Sequence, residues 1–242
     1  LRIDHAFGLG RLWVIPAGGG AGDGVYLSYP LTDLLRLITL EAHRAEAIVI
    51  AENLGTSPSG FSQEIEQRGM LGMEVLWFQR AEDHGFIGAQ DYAATSVAMS
   101  GTHDTQTVAG WWTGRDLDWA DRLGRLPPDI DRAEADAIRD WDRGLLWSTL
   151  AGDAARPAPD APEPVVDAVI AHIARTPAQL AIVAIEDLLG CEEQPNLPGT
   201  VHEHPNWQRR LDQPLATCLE TPAIARRLDL LNRERGEPPA ST

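Results

Sequence analysis

Three carboxylates in this chain stand directly after short apolar runs: Asp4 after Leu1-Arg2-Ile3, Glu52 after residues 47–51 (AIVIA), and Asp104 after a run that ends in Thr102-His103. A strand buried on both faces reads as such a run, and the residue that follows leaves its C-terminal end. In barrel enzymes, the C-terminal ends of the strands converge on the active site. Side chains alternate along a strand, so Arg2 shares a face with Asp4, and Ile48 and Ile50 share one with Glu52. Neighbouring strands run about 4.8 Å apart. If the first two runs are neighbours, carboxyl groups at their ends come within about 5–5.5 Å, the separation at which one attacks an anomeric carbon while the other handles the proton. A single acid after a strand often only caps the next loop. Three acids in that position are the signal.

The elements that would position them are legible in outline. Strand runs lie at residues 1–4, 47–52, 73–78, 95–104 and 179–187. Leu34, Leu35, Ile38 and Ala42 recur at helical spacing between the first two, with Thr32 as the N-cap. A Gly/Ser/Pro loop after Glu52 leads to a short helix over Ser62–Arg68. Residues 131–150 read as a long helix whose apolar face is Ile130, Ala133, Ala137, Ile138, Trp141, Leu145 and Trp147. A Pro/Ala loop at 157–164 precedes a helix over 165–174. Strand, loop and helix in alternation imply an α/β fold with parallel strands. Five strands without a Gly-rich dinucleotide fingerprint favour part of a (β/α)8 TIM barrel over a Rossmann sheet. Neither an internal repeat nor a second domain is visible over residues 1–242.

Composition narrows the class further. With 43% hydrophobic and 23% charged residues in 242, a disordered, collagen-like or disulfide-scaffold chain is excluded. No apolar run approaches the roughly 20 residues of a spanning helix, so no membrane partner is expected. A net charge of -16 disfavours nucleic acid, whose binding needs a phosphate-neutralising face. All 20 basic residues are arginine, which removes Schiff-base and P-loop lysine chemistry. Cys191 and Cys218 fall in no metal-binding pattern and read as thiols of a reducing, cytoplasmic compartment. The chain opens inside a strand, as a fragment would, whereas 237–242 reads as a frayed tail.

The segments RIDHAFGL (2–9), AENLGT (51–56), THDT (102–105), NLPGT (196–200) and EHPNW (203–207) resemble, in order and approximate spacing, those of the 4-alpha-glucanotransferases. These are the amylomaltase or disproportionating enzymes, glycoside hydrolase family 77, in the alpha-amylase clan. The likeness runs over nearly the whole chain, yet only over the later part of the family's barrel, from about its fourth strand. It implies that Asp4 is the nucleophile, Glu52 the general acid/base and Asp104 the transition-state stabiliser in a retaining transfer between α-1,4-glucans. Glu52 would need a raised pKa to start protonated. Arg2 would keep Asp4 ionised, and His103 would contact substrate. Asn196 reads as a sugar-hydroxyl ligand or a loop-turn residue, and Phe78 as a sugar-stacking ring or a core residue. No cofactor is implied.

The remaining features read more plainly. The glycines at 18–20, 22 and 24 are too irregular for a phosphate loop and suit a flexible loop near the active site. Trp111 and Trp112 suit buried packing better than a glucan groove. His202-Glu203-His204 lacks the helical spacing of a zinc site, so no metal is expected. Asn53 stands where many relatives carry Asp, and can keep a neutral hydrogen-bonding role. Two other readings stay open: a retaining α-glucan hydrolase using the same acids, and an incomplete barrel fragment without activity of its own.

Overall fold

The computed structural model describes residues 1–211 and 213–236; the tail expected over 237–242 lies outside the described residues. The chain forms two compact units. One holds Leu1–Glu74, Ala93–Val97 and Ala178–Leu180; the other holds Val75–Tyr92, Ala98–Pro177 and the chain from Ala181 onward.

The first unit runs β1 (Arg2–Ile3), an antiparallel hairpin of β2 (Arg11–Val14) and β3 (Val25–Ser28), α1 (Leu31–Arg44), β4 (Ile50–Ala51), α2 (Phe61–Glu66) and β5 (Leu71–Val75). β1 pairs in parallel with β4, Arg2 opposite Ile50 and Ile3 opposite Ala51. β4 pairs in parallel with β5, Ile50 opposite Leu71 and Ala51 opposite Gly72. Two further strands that start in this unit, β6 (Ser96–Met99) and β7 (Leu180–Ile182), complete the sheet order β1-β4-β5-β6-β7. Parallel neighbours need a crossover, and α1 supplies it. Its Leu31, Leu35, Ile38 and Ala42 fall at helical spacing and pack on a core of Ala6, Val49, Ala51, Phe61, Ile65 and Met70. Phe7 meets Phe61 edge-on at 4.9 Å.

Two expectations shift here. The helix begins at Leu31 behind Pro30 with no side-chain cap, so Thr32 is its second residue. The Gly-rich stretch is the long connection of the β2–β3 hairpin, where Gly24 leaves room for the Trp13 indole, since a Cβ there would fall 2.3 Å from the ring.

The second unit is helical: α3 (Val108–Thr113), α4 (Arg115–Arg122), α5 (Arg132–Ala151), α6 (Glu163–Arg175), α7 (Ile185–Leu189), α8 (Leu215–Leu219) and α9 (Pro222–Arg235). Its centre is α6, whose Val165, Val166, Val169, Ile170 and Ile173 are wholly buried and which packs on α3, α5 and α9. The 179–187 run is a strand only to Ile182; its end folds into α7. Likewise the 73–78 run leaves the ladder at Val75 and turns through Leu76–Phe78.

Helix α5 forms where expected, capped by Asp131, which accepts from Glu134 N. It buries a face rotated from the one the apolar residues mark, keeping only Trp147 of those residues fully buried. Ala135, Arg139, Arg143, Leu146 and Trp147 point inward, while Ile138 and Trp141 are exposed. Two guanidinium groups are tolerated inside because each is satisfied. Arg139 makes a bidentate pair with Asp116 at 2.7 Å, donates to Trp111 O and lies over the Trp111 ring, and Arg143 donates to Trp112 O at 2.6 Å. Trp111 and Trp112 are buried, as their packing reading requires.

A third buried guanidinium ties α9 to α6. Arg227 donates to Asp167 and Leu188 O at 2.8 Å and to Glu163. Removing one partner of a buried pair is costly, but Asp167 and Glu163 keep some access to water and can rehydrate. Arg227→Ala is therefore expected to destabilise this unit by about 3 kcal/mol, measured by urea denaturation; a loss under about 0.5 kcal/mol, typical of surface changes, would contradict this assignment.

Candidate active site

In the first unit, the β1–β4 register places Asp4 and Glu52 each one residue beyond a paired strand. The ladder runs on through them: Glu52 N donates to Ile3 O, and Ala6 N to Glu52 O, both at 2.9 Å. Pleating sends Arg2 and Asp4 to the same face, and Arg2 Nη2 lies 2.8 Å from Asp4 Oδ1. Glu52 is buried, and its two oxygens are held from the backbone, Oε2 by His5 N at 2.8 Å and Oε1 by Leu54 N at 3.0 Å. Asp4 is more open, its side chain 56% exposed.

His5 lies between the two acids. Its Nε2 is 3.6 Å from Asp4 Oδ2 and its Nδ1 3.8 Å from Glu52 Oε2. It holds a left-handed φ of 47°, a conformation uncommon outside glycine and concentrated at functional sites. The sequence reading gave His5 no role, although it sits inside the RIDH segment; only the fold shows that it reaches both carboxylates. Asn53 does hydrogen-bond as a neutral group, its Oδ1 accepting from Met73 N on β5 at 2.8 Å.

In the second unit, the loop after β6 carries His103 and Asp104. Its two threonines fold it: Thr102 Oγ1 accepts from Asp104 N, and Thr105 Oγ1 accepts from Thr102 N. Asn196 Nδ2 donates to Asp104 Oδ1 at 2.6 Å, and His103 Nε2 stands 3.3 Å from Asp104 Oδ2. Asn196 thus fixes the direction of the Asp104 carboxylate. Phe78, in the turn after β5, is 55% exposed, which removes the core-packing reading. His204 is buried, with Nδ1 2.6 Å from Asn206 Oδ1, and Glu203 accepts from Val201 N and His202 N. The His-Glu-His segment thus shapes a loop.

One residue that organises the Asp104 loop escaped the sequence reading. Asp187 on α7 is 1% exposed and accepts from Ser100 Oγ at 2.6 Å and from Val108 N at 2.7 Å, so one carboxylate clamps both ends of the 101–107 loop. Trp77 Nε1 adds a bond to Gln106 O. The sequence places Asp187 at a strand end like the three candidate acids, and nothing in that pattern separates a buried clamp from an exposed reacting group.

The comparisons with known proteins show the family and the fold. Parallel strands joined through helices, as in β1–α1–β4–α2–β5, are the arrangement of the (β/α)-barrel class, and the profile described as 4-alpha-glucanotransferase, glycoside hydrolase family 77, matches residues 1–216. The chain belongs to this family. The 4-alpha-glucanotransferase of Mycobacterium tuberculosis is 36% identical over 225 residues, covering 88% of this chain and 30% of the relative. That of Haemophilus influenzae is 33% identical over 236 residues, covering 93% and 33%. The crystal structure of amylomaltase from Corynebacterium glutamicum superposes with a TM-score of 0.86 at 26% identity, covering 96% of this chain and 35% of that one. The chain therefore spans about a third of the length of the relatives it matches. No helix among the described residues is long and apolar enough to cross a membrane.

The clamp generates a pH prediction. Burial pushes the Asp187 carboxyl up to about 6, and the hydrogen bonds from Ser100 and Val108 offset only part of that. The folded state then holds this proton more tightly than the unfolded state, so the group's contribution to stability is intact below about pH 4 and lost as pH rises through about 6. His172 acts oppositely over the same range: burial and Arg175 push it down to about 4, so its contribution is present above about pH 6.5 and lost as pH falls. The informative quantity is thus the difference between variant and wild type. From pH 4 to pH 7, Asp187→Asn should gain roughly 2 kcal/mol relative to wild type in urea denaturation; a pH-independent difference would contradict a buried, titrating clamp.

Proposed function

We propose that residues 1–242 supply the later, acid-bearing strands of a catalytic (β/α)8 barrel. In this reading the protein transfers a segment of an α-1,4-glucan to the 4-hydroxyl of an acceptor maltooligosaccharide or glucose. The observation that supports this most is the pairing of Asp4 and Glu52 at the ends of parallel neighbours, with the His5 ring reaching both.

Asp4 attacks the anomeric carbon of the donor. The bond to the leaving 4-oxygen breaks as Glu52 delivers its proton, and a glucosyl ester forms on Asp4. Glu52, now a carboxylate, takes the proton from the acceptor's 4-hydroxyl, which attacks the same carbon and releases Asp4 with overall retention. The ion pair with Arg2 steadies Asp4 as the attacking carboxylate. Asp104, oriented by Asn196 and flanked by His103, binds sugar hydroxyls more strongly as the ring flattens toward the oxocarbenium-like state. Phe78 offers an exposed ring for sugar stacking. These steps close on side chains and two sugars, with no cofactor. Transfer outruns hydrolysis only when acceptor, rather than water, meets the ester. Cys191 and Cys218, both outside any disulfide, suit a cytoplasmic enzyme of carbohydrate metabolism.

Incubation with maltotriose, followed by separation of products by length, is expected to yield glucose together with maltopentaose and longer chains. Asp4→Asn and Glu52→Gln should each lower the rate by about a thousandfold. Only shorter products would identify a hydrolase, and undiminished turnover by Asp4→Asn would overturn the reading.

A further inference from the structure

The EHPNW segment does more in the fold than a loop of its length requires. Asn206 locks it from both sides: Oδ1 accepts from Leu197 N at 2.9 Å, while Nδ2 donates to Thr200 O and to Thr200 Oγ1. His204, buried below, meets the Trp119 ring edge-on at 4.7 Å. On this rigid base the backbone turns left-handed at Trp207, with φ of 59° and its N–H held by Pro195 O at 2.9 Å. A bulky residue at positive φ is costly and persists where the surroundings over-determine it. The effect here is to push an indole outward until it is 65% exposed.

That ring has two neighbours in the same unit. On one side it meets His103, ring centres 5.3 Å apart and planes 45° apart, and His103 adjoins Asp104. On the other it lines a cavity of about 830 Å³ whose wall includes Glu192, Glu193, Arg209 and Arg210. Glu193 stiffens this wall, since it binds Arg115, Trp119 and Arg209 together. Carboxylate acceptors and guanidinium donors in near balance, beside an exposed aromatic face, suit a neutral polyhydroxyl ligand: they offer hydrogen bonds of both kinds and a flat surface for its C–H face.

We infer that Trp207 is a saccharide-stacking residue and that the cavity beside it is a glucan subsite adjoining His103 and Asp104. This inference rests on the glucan-transfer reading and extends it by naming where a sugar beyond the reacting ones is held.

The test is titration of the full chain with maltoheptaose by NMR, following the tryptophan indole N–H signals. The Trp207 signal is identified by its loss in Trp207→Phe. Binding should move that signal, and saturation of it should transfer to sugar ring protons in the wild-type protein, a readout that needs no variant to fold. Trp207→Ala should weaken binding about tenfold, while Trp207→Phe stays within about threefold. Wild-type binding that leaves the Trp207 signal unmoved, or equal affinity in Trp207→Ala, would overturn the inference and leave the glucan reading standing. No binding of maltoheptaose to the wild-type chain would overturn both.

Discussion

The first unit depends on a parallel pairing only two residues deep. With Arg2 opposite Ile50 and Ile3 opposite Ala51, the next residue on each strand is an acid, and the ladder passes through both by way of Ile3 O, Glu52 N, Glu52 O and Ala6 N. A slip of one residue would carry Arg2 and Asp4 together to the opposite face, away from Glu52, and strip Glu52 of the His5 N–H. The packing behind the sheet prevents such a slip. Ala6, Val49 and Ala51 are buried against Leu35 of α1 and Phe61 and Ile65 of α2, so the register of the apolar residues is also the register of the acids.

The second unit solves a different problem with buried charge. Its helices enclose Arg139, Arg143, Arg227 and Asp187, each a group whose desolvation costs several kcal/mol unless it is bonded. Each has found specific oxygens or N–H groups, most of them at loop ends and helix termini, with Asp167 inside α6. Asp187 joins the end of β6 to the start of α3, and Arg227 joins α9 to α6 and to the Leu188 carbonyl. Gly110 on α3 belongs to the same scheme: the Glu192 carbonyl approaches so closely that a Cβ would fall 2.1 Å from it. Precise loop placement is obtained by accepting a carboxylate that burial destabilises at neutral pH.

Much of the candidate site was readable before the fold because strand ends leave a strong trace: an apolar run, then an acid. Asp4 and Glu52 stand where that pattern puts them, whereas the 95–104 run is a strand only from Ser96 to Met99 and Asp104 lies in the loop beyond it; the resemblance to glycoside hydrolase family 77 gave all three their expected roles. What was not readable has physical causes. The β2–β3 hairpin lacks the two-residue turn that announces a hairpin, because a Gly-rich connection joins its strands. The buried face of α5 is built on Arg139 and Arg143, whose partners Asp116 and the Trp111 and Trp112 carbonyls are distant in sequence, so hydrophobicity marked a face that overlaps the buried one only toward Trp147. His5 and Asp187 act through contacts 47 and 87 residues away along the chain, to Glu52 and to Ser100. No local spacing encodes those contacts.

The most direct test of the account is to trap the glucosyl ester and find where it sits. The chain would be treated with an activated fluorosugar donor that forms the ester but releases it slowly, then digested and mapped by mass spectrometry. The account predicts one added glucosyl group on the peptide containing Asp4, absent in Asp4→Asn and present when Glu52→Gln is given a donor whose leaving group needs no protonation. A label on Glu52 or Asp104, or a label that survives Asp4→Asn, would contradict the assignment of the nucleophile and the mechanism built on it.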